Sequence, residues 1–297
     1  MPNLNSLSIG VVFLKGIKMK KILFPTDFSE TADNAFLYAL ALSDKLNGEL
    51  TLLHVYELPE LGRALKTTTK EVYEMMEMEA LESFKASVKK LRQIAEEEGF
   101  SHIDFSHEMV EGETVSRISQ VADKIEADII VMGTKGATGL KEIFLGSIAT
   151  GVIDSSDKPV LSIPAQASYK NKVNKISYLS NYKDEEIEAF EKVCEFTSFF
   201  NAELMCIHYD GEELNNDASH REEWIKKANT CGTPINFHVI AGPSFEDALV
   251  DFNQKNQINI LAVQPRKKNI FARLFSKSVS KSIAHHLDIP LLSLPKK

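Results

Sequence analysis

The sequence predicts an α/β protein made of two tandem domains, each with a doubly wound parallel sheet. Three observations lead to this prediction. Short apolar runs alternate with longer amphipathic segments along the chain, an order typical of parallel strands joined by helical crossovers. The order of segments in the first half recurs in the second. The length of 297 residues also fits about two domains of ordinary size.

Five apolar runs in the first half predict five strands. They lie at residues 22–24, 49–55, 102–110, 129–132 and 159–164. Between them, apolar residues recur at helical spacing and predict four helices. These helices begin near Ser29, Lys70, Thr114 and Ser147. Because serine often caps helix N-termini, Ser29 supports a helix start soon after the first strand.

The second half repeats this order, which predicts a tandem duplication. The matching pairs of segments are 21–28 with 175–182, 48–55 with 202–208, 103–110 with 235–240, 129–132 with 258–263, and 159–164 with 290–295. We therefore expect four parts in the chain. They are residues 1–18, which are either a disordered extension or the result of an upstream start choice, a first domain at 19–165, a linker at 166–171 and a second domain at 172–297.

The last predicted strand of each half has nearly the same sequence. Residues 159–164 read Pro-Val-Leu-Ser-Ile-Pro, and residues 290–295 read Pro-Leu-Leu-Ser-Leu-Pro. Short apolar strands at a sheet edge would stay exposed and prone to association. We expect the two strands to pair antiparallel, which covers both edges and relates the halves by a pseudo-twofold axis.

The composition indicates an ordinary water-soluble globular protein with an acidic surface. The formal net charge is −8 and the pI is about 5.6, which argues against nucleic acid or an acidic membrane as the main partner. No segment approaches the ~20 consecutive apolar residues of a membrane helix. In the first 18 residues the lysines follow the apolar run, whereas a secretory signal places them before it.

The three cysteines favour a reducing compartment. Cys194, Cys206 and Cys231 all lie in the second half, without a Cys-x-x-Cys pair. An odd count without a recognisable framework predicts free thiols and a cytoplasmic location.

A glycine-rich stretch follows the fourth strand and has the pattern Gly133-x2-Gly136-x9-Gly146-Ser147. Such a loop between a strand end and a helix start lets backbone N–H groups approach a phosphate closely, and the helix N-terminus adds partial positive charge. The stretch contains neither the P-loop pattern nor the Rossmann fingerprint. Its spacing resembles the ATP-binding signature of the universal stress protein family. The likeness covers residues 20–295, strongly in the first half and by segment order in the second.

The resemblance implies an adenine nucleotide alpha hydrolase-like fold that binds ATP, with Mg²⁺ as an optional companion. Asp27, which follows Pro25 and Thr26, would lie beside the nucleoside, and Val55 would line the adenine pocket. The alternatives are that Asp27 caps a turn and that Val55 belongs to the core.

By the same resemblance, Met132 and Gly133 would meet the ribose through backbone groups. Gly136, Gly146 and Ser147 would surround the phosphates. Lys135 has two open interpretations, as a phosphate ligand or as a solvated loop lysine.

The second copy has lost this pattern. Asn181 replaces Asp27, and Gln264, Lys267 and Lys277 stand in place of Gly133, Gly136 and Gly146. Side chains at these positions would fill the space that phosphates need. We therefore expect a structural or regulatory second domain. Its basic stretch at 266–277 has two open interpretations, as a surface that attracts anions or as a solvated surface.

No catalytic or metal-binding constellation is predicted. His54 and His208 occupy matching positions, which predicts a structural hydrogen bond repeated in both halves. No general base is evident near the glycine loop.

The leading hypothesis is therefore an ATP-binding stress-response protein that acts through nucleotide-dependent conformation or association. The alternatives are a slow ATPase, a self-phosphorylating enzyme with Ser147 or Thr138 as acceptor, and a nucleotide-free interaction module. The expected partners are an adenine nucleotide in the first domain and the other domain of the same chain. Formation of a homodimer is a further possibility, and no nucleic acid or membrane partner is expected.

Overall fold

The computed structural model of the chain describes most of both halves. The described residues are 20–57, 69–134, 145–167, 169, 172–209, 222, 224, 226, 234–264 and 289–295. The predicted extension at 1–18 lies outside them, as do Lys135, Gly136, Thr138, Lys267 and Lys277.

Strands and helices alternate through the described residues. The strands are β1 (Lys21–Pro25), β2 (Glu49–Tyr56), β3 (Phe105–Glu111), β4 (Ile129–Gly133), β5 (Val160–Ile163), β6 (Lys175–Leu179), β7 (Glu203–Tyr209), β8 (Ile235–Ile240), β9 (Ile260–Val263) and β10 (Leu291–Ser293). The helices are α1 (Glu30–Leu46), α2 (Thr69–Glu97), α3 (Thr114–Lys124), α4 (Ser147–Ser155), α5 (Ile187–Phe199) and α6 (Phe245–Asn256), with a short 3-10 turn at Asp184–Glu186. None of these helices combines the length and apolar character that a membrane crossing requires.

One predicted strand begins later than expected. The third strand was predicted from residue 102, but β3 starts at Phe105. The preceding residues form a turn, in which the Ile103 N–H donates to the Phe100 carbonyl oxygen over 2.9 Å. The Asp104 carboxylate accepts the Phe105 N–H over 2.9 Å, so the first N–H group of the strand is bound to a side chain.

All ten strands form one sheet in the order β3-β2-β1-β4-β5-β10-β9-β6-β7-β8. Within each half the neighbouring strands are parallel and follow the same order, third, second, first, fourth, fifth. This arrangement confirms the predicted α/β fold class with two doubly wound parallel sheets.

The two halves meet where β5 pairs antiparallel with β10. Leu161 lies opposite Leu292, Ser162 opposite Leu291, and Val160 opposite Ser293. Because Leu161 and Leu292 are matching residues of the two copies, the pseudo-twofold axis passes through this central pair. The predicted antiparallel pairing of the two proline-flanked strands is confirmed.

Both faces of the sheet carry a core that runs through the two halves. One core contains Leu161 and Leu292 and is covered by α1, α2 and α5. The other contains Val160 and Leu291 and is covered by α3, α4 and α6. Since side chains alternate between the faces of a strand, β5 and β10 contribute to both cores.

The prediction of three free thiols was wrong for Cys194. This residue of α5 is disulfide-bonded, whereas Cys206 of β7 is a free thiol whose pKa is raised by burial. A disulfide requires Cα atoms about 4.4–6.8 Å apart, a condition that spacing along the sequence does not reveal. The cytoplasmic location stays a prediction, and the disulfide removes one of the observations behind it.

Shortening Leu161 should test the junction between the halves. Leu161 is only 2 % exposed. Leu161→Ala should lower the free energy of unfolding by about 2–5 kcal/mol, because it leaves a cavity in a core that both halves share. Urea denaturation measures the change. The same substitution at Leu81, which is 42 % exposed, should change it by less than about 0.5 kcal/mol. Equal effects of the two changes would contradict the assigned role of the β5–β10 pair.

Candidate functional site

The carboxyl end of β1 forms a tight turn that positions Asp27. The Thr26 N–H donates to the Leu53 carbonyl oxygen over 2.9 Å, which continues the pairing of β1 with β2. The Thr26 hydroxyl oxygen accepts the Phe28 N–H, also over 2.9 Å. Phe28 has a φ of 58°, in the left-handed region that non-glycine residues rarely adopt. The turn leaves Thr26 buried and Asp27 exposed at the sheet edge.

Asp27 is held by the residue that starts α1. Its Oδ1 atom accepts the Ser29 N–H over 3.1 Å and the Ser29 hydroxyl over 2.7 Å. The Ser29 oxygen in turn accepts the Ala32 N–H and caps the helix. The turn-capping interpretation of Asp27 therefore describes a real contact, and contact with a nucleoside stays a prediction.

Val55 lies near the carboxyl end of β2, at the same edge of the sheet as Asp27. It is half-buried and packs against the core under α3 and α4, and Val110 of β3 lies beside it. Both interpretations of Val55, as a core residue and as a pocket wall, are compatible with this half-buried position. Pro25, the last residue of β1, is buried.

The two ends of the glycine loop lie side by side. Met132 and Thr134 are buried and Gly133 is half-buried at the end of β4. The Thr134 N–H donates to the Ile163 carbonyl oxygen over 3.0 Å, and the Thr134 carbonyl oxygen accepts the Gly146 N–H over 2.6 Å. The sequence did not single out Thr134, because its contribution is a backbone contact. The loop between these ends, with Gly136, lies outside the described residues.

The helix that leaves this loop starts without a side-chain cap, unlike α1, α3 and α6. Ser29, Glu113 and Ser244 cap α1, α3 and α6 with side-chain oxygens. The N-cap of α4 is Gly146, which makes no side-chain hydrogen bond, and Ser147 follows as an exposed first helical residue. The N–H groups in the first turn of a helix lack partners within the helix. The start of α4 therefore offers donors and partial positive charge beside the end of β4.

The capping carboxylate of α3 shows how such donors act on an anion. Glu113 accepts the Ser116 hydroxyl over 2.6 Å and the N–H groups of Ser116 and Val115. These hydrogen bonds lower the pKa of Glu113, and the one from the Ser116 side chain has the largest effect. They favour the ionised form of Glu113. The N–H groups at the start of α4 would favour the binding of phosphate oxygens in the same way.

Comparison with known proteins places this geometry in a family. The model of the universal stress protein family matches residues 18–164. A universal stress protein of Methanocaldococcus jannaschii is 34% identical over 145 residues, which cover 48% of this chain and 81% of that protein. A second one from the same organism is 33% identical over 163 residues, 51% of this chain and 99% of that protein. The chain belongs to the universal stress protein family.

The double arrangement also has a counterpart among solved structures. A universal stress protein from Archaeoglobus fulgidus covers 94% of this chain and 100% of its own, with a TM-score of 0.69. At 18% identity this likeness shows the fold alone. It supports a universal stress protein fold that extends over both halves.

The second half of this universal stress protein repeats the backbone of the first site. The Ser180 hydroxyl oxygen accepts the Tyr182 N–H over 2.9 Å, as Thr26 does for Phe28. His208 Nδ1 donates to the Ser180 carbonyl oxygen over 3.0 Å, and His54 Nδ1 donates to that of Thr26 over 2.9 Å. The predicted repeated histidine hydrogen bond is confirmed.

The side chains around the second edge differ from those of the first. Tyr209 stands where the first half has Val55. Its ring packs edge-on against Phe245 at 5.5 Å, and its hydroxyl donates to the Gly242 carbonyl oxygen over 3.4 Å. Gln264, in place of Gly133, donates through Nε2 to the Pro295 carbonyl oxygen over 3.3 Å. Each of the two matching positions therefore carries a larger side chain with its own partners.

A buried carboxylate also closes the turn at the end of β6. Glu186 is 1 % exposed and accepts the Ser180 hydroxyl over 2.6 Å. It further accepts the N–H groups of Asn181 and Lys183 over 3.1 and 3.2 Å. Backbone donors of this turn are thus bound to the chain's own acceptor.

Among the described residues, no group of three or more His, Cys, Asp or Glu side chains is placed to hold a metal ion.

Proposed function

We propose that the first half of this chain binds ATP, and that the protein acts in a stress response through nucleotide-dependent conformation or association. The observation that carries this proposal is the start of α4, where a glycine N-cap leaves the first-turn N–H groups without a side-chain cap. The Gly146–Thr134 hydrogen bond holds that helix start against the end of β4. An anion with several acceptor oxygens suits such a set of donors.

The backbone at Gly146 supports a spatial reason for the glycine. Its φ of −61° and ψ of 160° are extended values that any residue adopts. The fold therefore does not need glycine there for its conformation. The absence of a side chain leaves room for an approaching phosphate, which fits the proposed role.

The other predicted residues have places in the same proposal. Asp27 and Val55 lie at the ends of β1 and β2 and would contact the nucleoside. Met132 and Gly133, at the end of β4, would meet the ribose through backbone groups. The Ser147 hydroxyl would add a donor to the phosphates, with Gly136 in the loop before it. Mg²⁺ accompanies ATP in water and would enter with the phosphates.

The proposal includes the division of the chain into a first domain at 19–165 and a second at 172–297, joined by 166–171. The first contains β1–β5 and the second β6–β10. The side chains of Tyr209, Gln264 and Glu186 support a second domain with a structural or regulatory role.

A second candidate function uses the same site for phosphoryl transfer. Ser147 is exposed at the first residue of α4, which gives its hydroxyl access to a bound phosphate. Steady-state phosphate release and mass spectrometry of Ser147 after incubation with ATP separate the two functions. Turnover or a modified Ser147 would favour the enzyme.

Replacing Gly146 by the residue of the second copy should separate ATP binding from folding. Gly146→Lys should keep the far-UV circular dichroism spectrum and melting temperature, because lysine adopts the observed dihedral angles. It should lose ATP binding in titration calorimetry, because the side chain occupies the phosphate approach. The control is Ser155→Lys, at the other end of α4, which should bind ATP as before. Unfolding of Gly146→Lys, or unchanged ATP binding, would show that the role of Gly146 is misassigned.

The chain should bind one ATP. Each buried polar group left unpaired costs about 1–3 kcal/mol, and each 1.4 kcal/mol is roughly a tenfold change in affinity. Loss of the close backbone approach in the second half should therefore weaken binding there by ~100-fold or more. Lys267 and Lys277 of the second half should recover less binding free energy than this loss, since exposed charge pairs are typically worth ~1 kcal/mol or less.

Titration calorimetry should accordingly give one ATP per chain. Asp27→Ala with Gly146→Lys should abolish this binding, whereas Tyr209→Ala in the second half should leave it unchanged. Two sites of comparable affinity would mean that the second half retains a nucleotide site.

A further inference from the structure

Large apolar side chains are exposed along the first part of α2. Val72, Met75, Met78 and Leu81 are 37, 72, 64 and 42 % exposed, and they are four of the six exposed large hydrophobic residues in the described part of the chain. At about 3.6 residues per turn, each step of three residues falls about 60° short of a full turn, so the four side chains form a ridge that winds about halfway around the helix. Met75 and Met78 lie at the centre of this ridge, and Val72 and Leu81 lie on opposite sides of the helix. We call these four residues the α2 stripe.

The part of α2 that carries the stripe packs little against the described protein. No side chain described between Glu71 and Ser83 is buried, and Phe84 is the first buried residue of the helix. After Phe84, the helix packs on the sheet through Val88, Leu91 and Ala95. The 29 residues of α2 span ~43 Å at 1.5 Å per residue, whereas the eight residues of β2 span only ~26 Å. The helix is therefore much longer than the strand that precedes it.

This segment lacks the stabilisation that other helices of the protein obtain from packing. Most helical stability in proteins comes from packing of an amphipathic face, and no side chain described between residues 71 and 83 is buried. Glu71, Glu74 and Glu77 follow one another at three-residue spacing, at which like charges on a helix repel. A partner that covers the stripe and neutralises these carboxylates would supply both missing contributions.

The charges beside the stripe indicate the chemistry of that partner. Residues 71–83 contain five glutamates and no lysine or arginine. Glu71, Glu74 and Glu77 lie on the ridge along one side of the stripe, and Glu79 and Glu82 lie on the ridge along the other. A second copy of this segment would bring acidic ridges together, so self-association through it is disfavoured. A chain with apolar and basic residues is complementary to it.

We propose that the α2 stripe docks a basic amphipathic helix of another protein. The apolar face of that helix lies on Met75 and Met78 at the centre of the stripe, with Val72 and Leu81 on its two flanks, and its lysines or arginines lie beside the flanking glutamates. Docking of an amphipathic helix through its apolar face is a common mode of peptide recognition. Methionine suits such a surface, because its flexible side chain adapts to the shape of the partner. The stripe residues are not among the residues of the proposed nucleotide site, so either proposal can fail without the other.

A synthetic helix provides the probe. A fluorescein-labelled peptide of about 18 residues, with leucines on one helical face and lysines elsewhere, spans the stripe at 1.5 Å per residue. Its binding to the full chain is measured by fluorescence anisotropy. A peptide of the same composition in scrambled order has the same charge without an apolar face, and it should bind at least about tenfold more weakly. Added salt should weaken the binding, since the flanking charges are exposed.

Substitutions in the stripe should remove this binding without affecting folding. Met75→Gln with Met78→Gln keeps the charge and the helix propensity, and it should weaken peptide binding by about tenfold or more. Met75→Leu with Met78→Leu should bind as the natural protein does. Val239→Thr changes another exposed apolar residue, 52 % exposed on β8, and it should also leave binding unchanged.

The charge contribution has its own matched pair of variants. Glu71→Gln with Glu82→Gln should weaken peptide binding, and Glu96→Gln with Glu98→Gln, an equal charge change near the other end of α2, should not. Three results would overturn the proposal. The first is equal binding of the two peptides, and the second is unchanged peptide binding by the Met75/Met78 glutamine variant. The third is a dimer in sedimentation velocity that this variant abolishes, because such a dimer would identify a second copy as the occupant.

Discussion

The antiparallel pairing of β5 with β10 joins two parallel sheets into one sheet of ten strands. Without it, each half would end in a short apolar edge strand, and each core would lose the side chains that the other half contributes. Leu161 and Leu292 lie at the centre of the pairing and belong to the same core. Because the strands run in opposite directions there, the carboxyl edges of the two halves face opposite ways. The candidate site of the first half therefore lies away from its counterpart in the second.

The two halves keep the same backbone at these edges and differ in side chains. In both, a hydroxyl residue at the end of the first strand supports a turn, and a histidine donates to its carbonyl oxygen. In the second half, Glu186, Tyr209 and Gln264 use the surrounding groups for contacts within the chain. In the first half, the start of α4 keeps a glycine cap. The shared turn thus serves folding in both halves, and the two edges differ in the side chains that surround it.

Most of the fold could be predicted from the sequence, because it depends on local periodicity and on the repetition of segments. The alternation of apolar runs located the strands, and the near-identity of the two last strands predicted their pairing. Contacts that depend on three-dimensional placement could not be predicted. The disulfide of Cys194 and the packing of Tyr209 on Phe245 are of this kind. The exposed start of α2 also escaped prediction, since its apolar residues resemble those of a buried helix face.

The most direct test of ATP binding is mass spectrometry of the nucleotide released when freshly purified protein is denatured. We expect ATP in an amount that approaches one per chain, and little or none from a Gly146→Lys variant prepared in the same way. Release of no adenine nucleotide from folded protein that also fails to bind added ATP would contradict it. Equal release from the natural protein and the variant would contradict the assigned site.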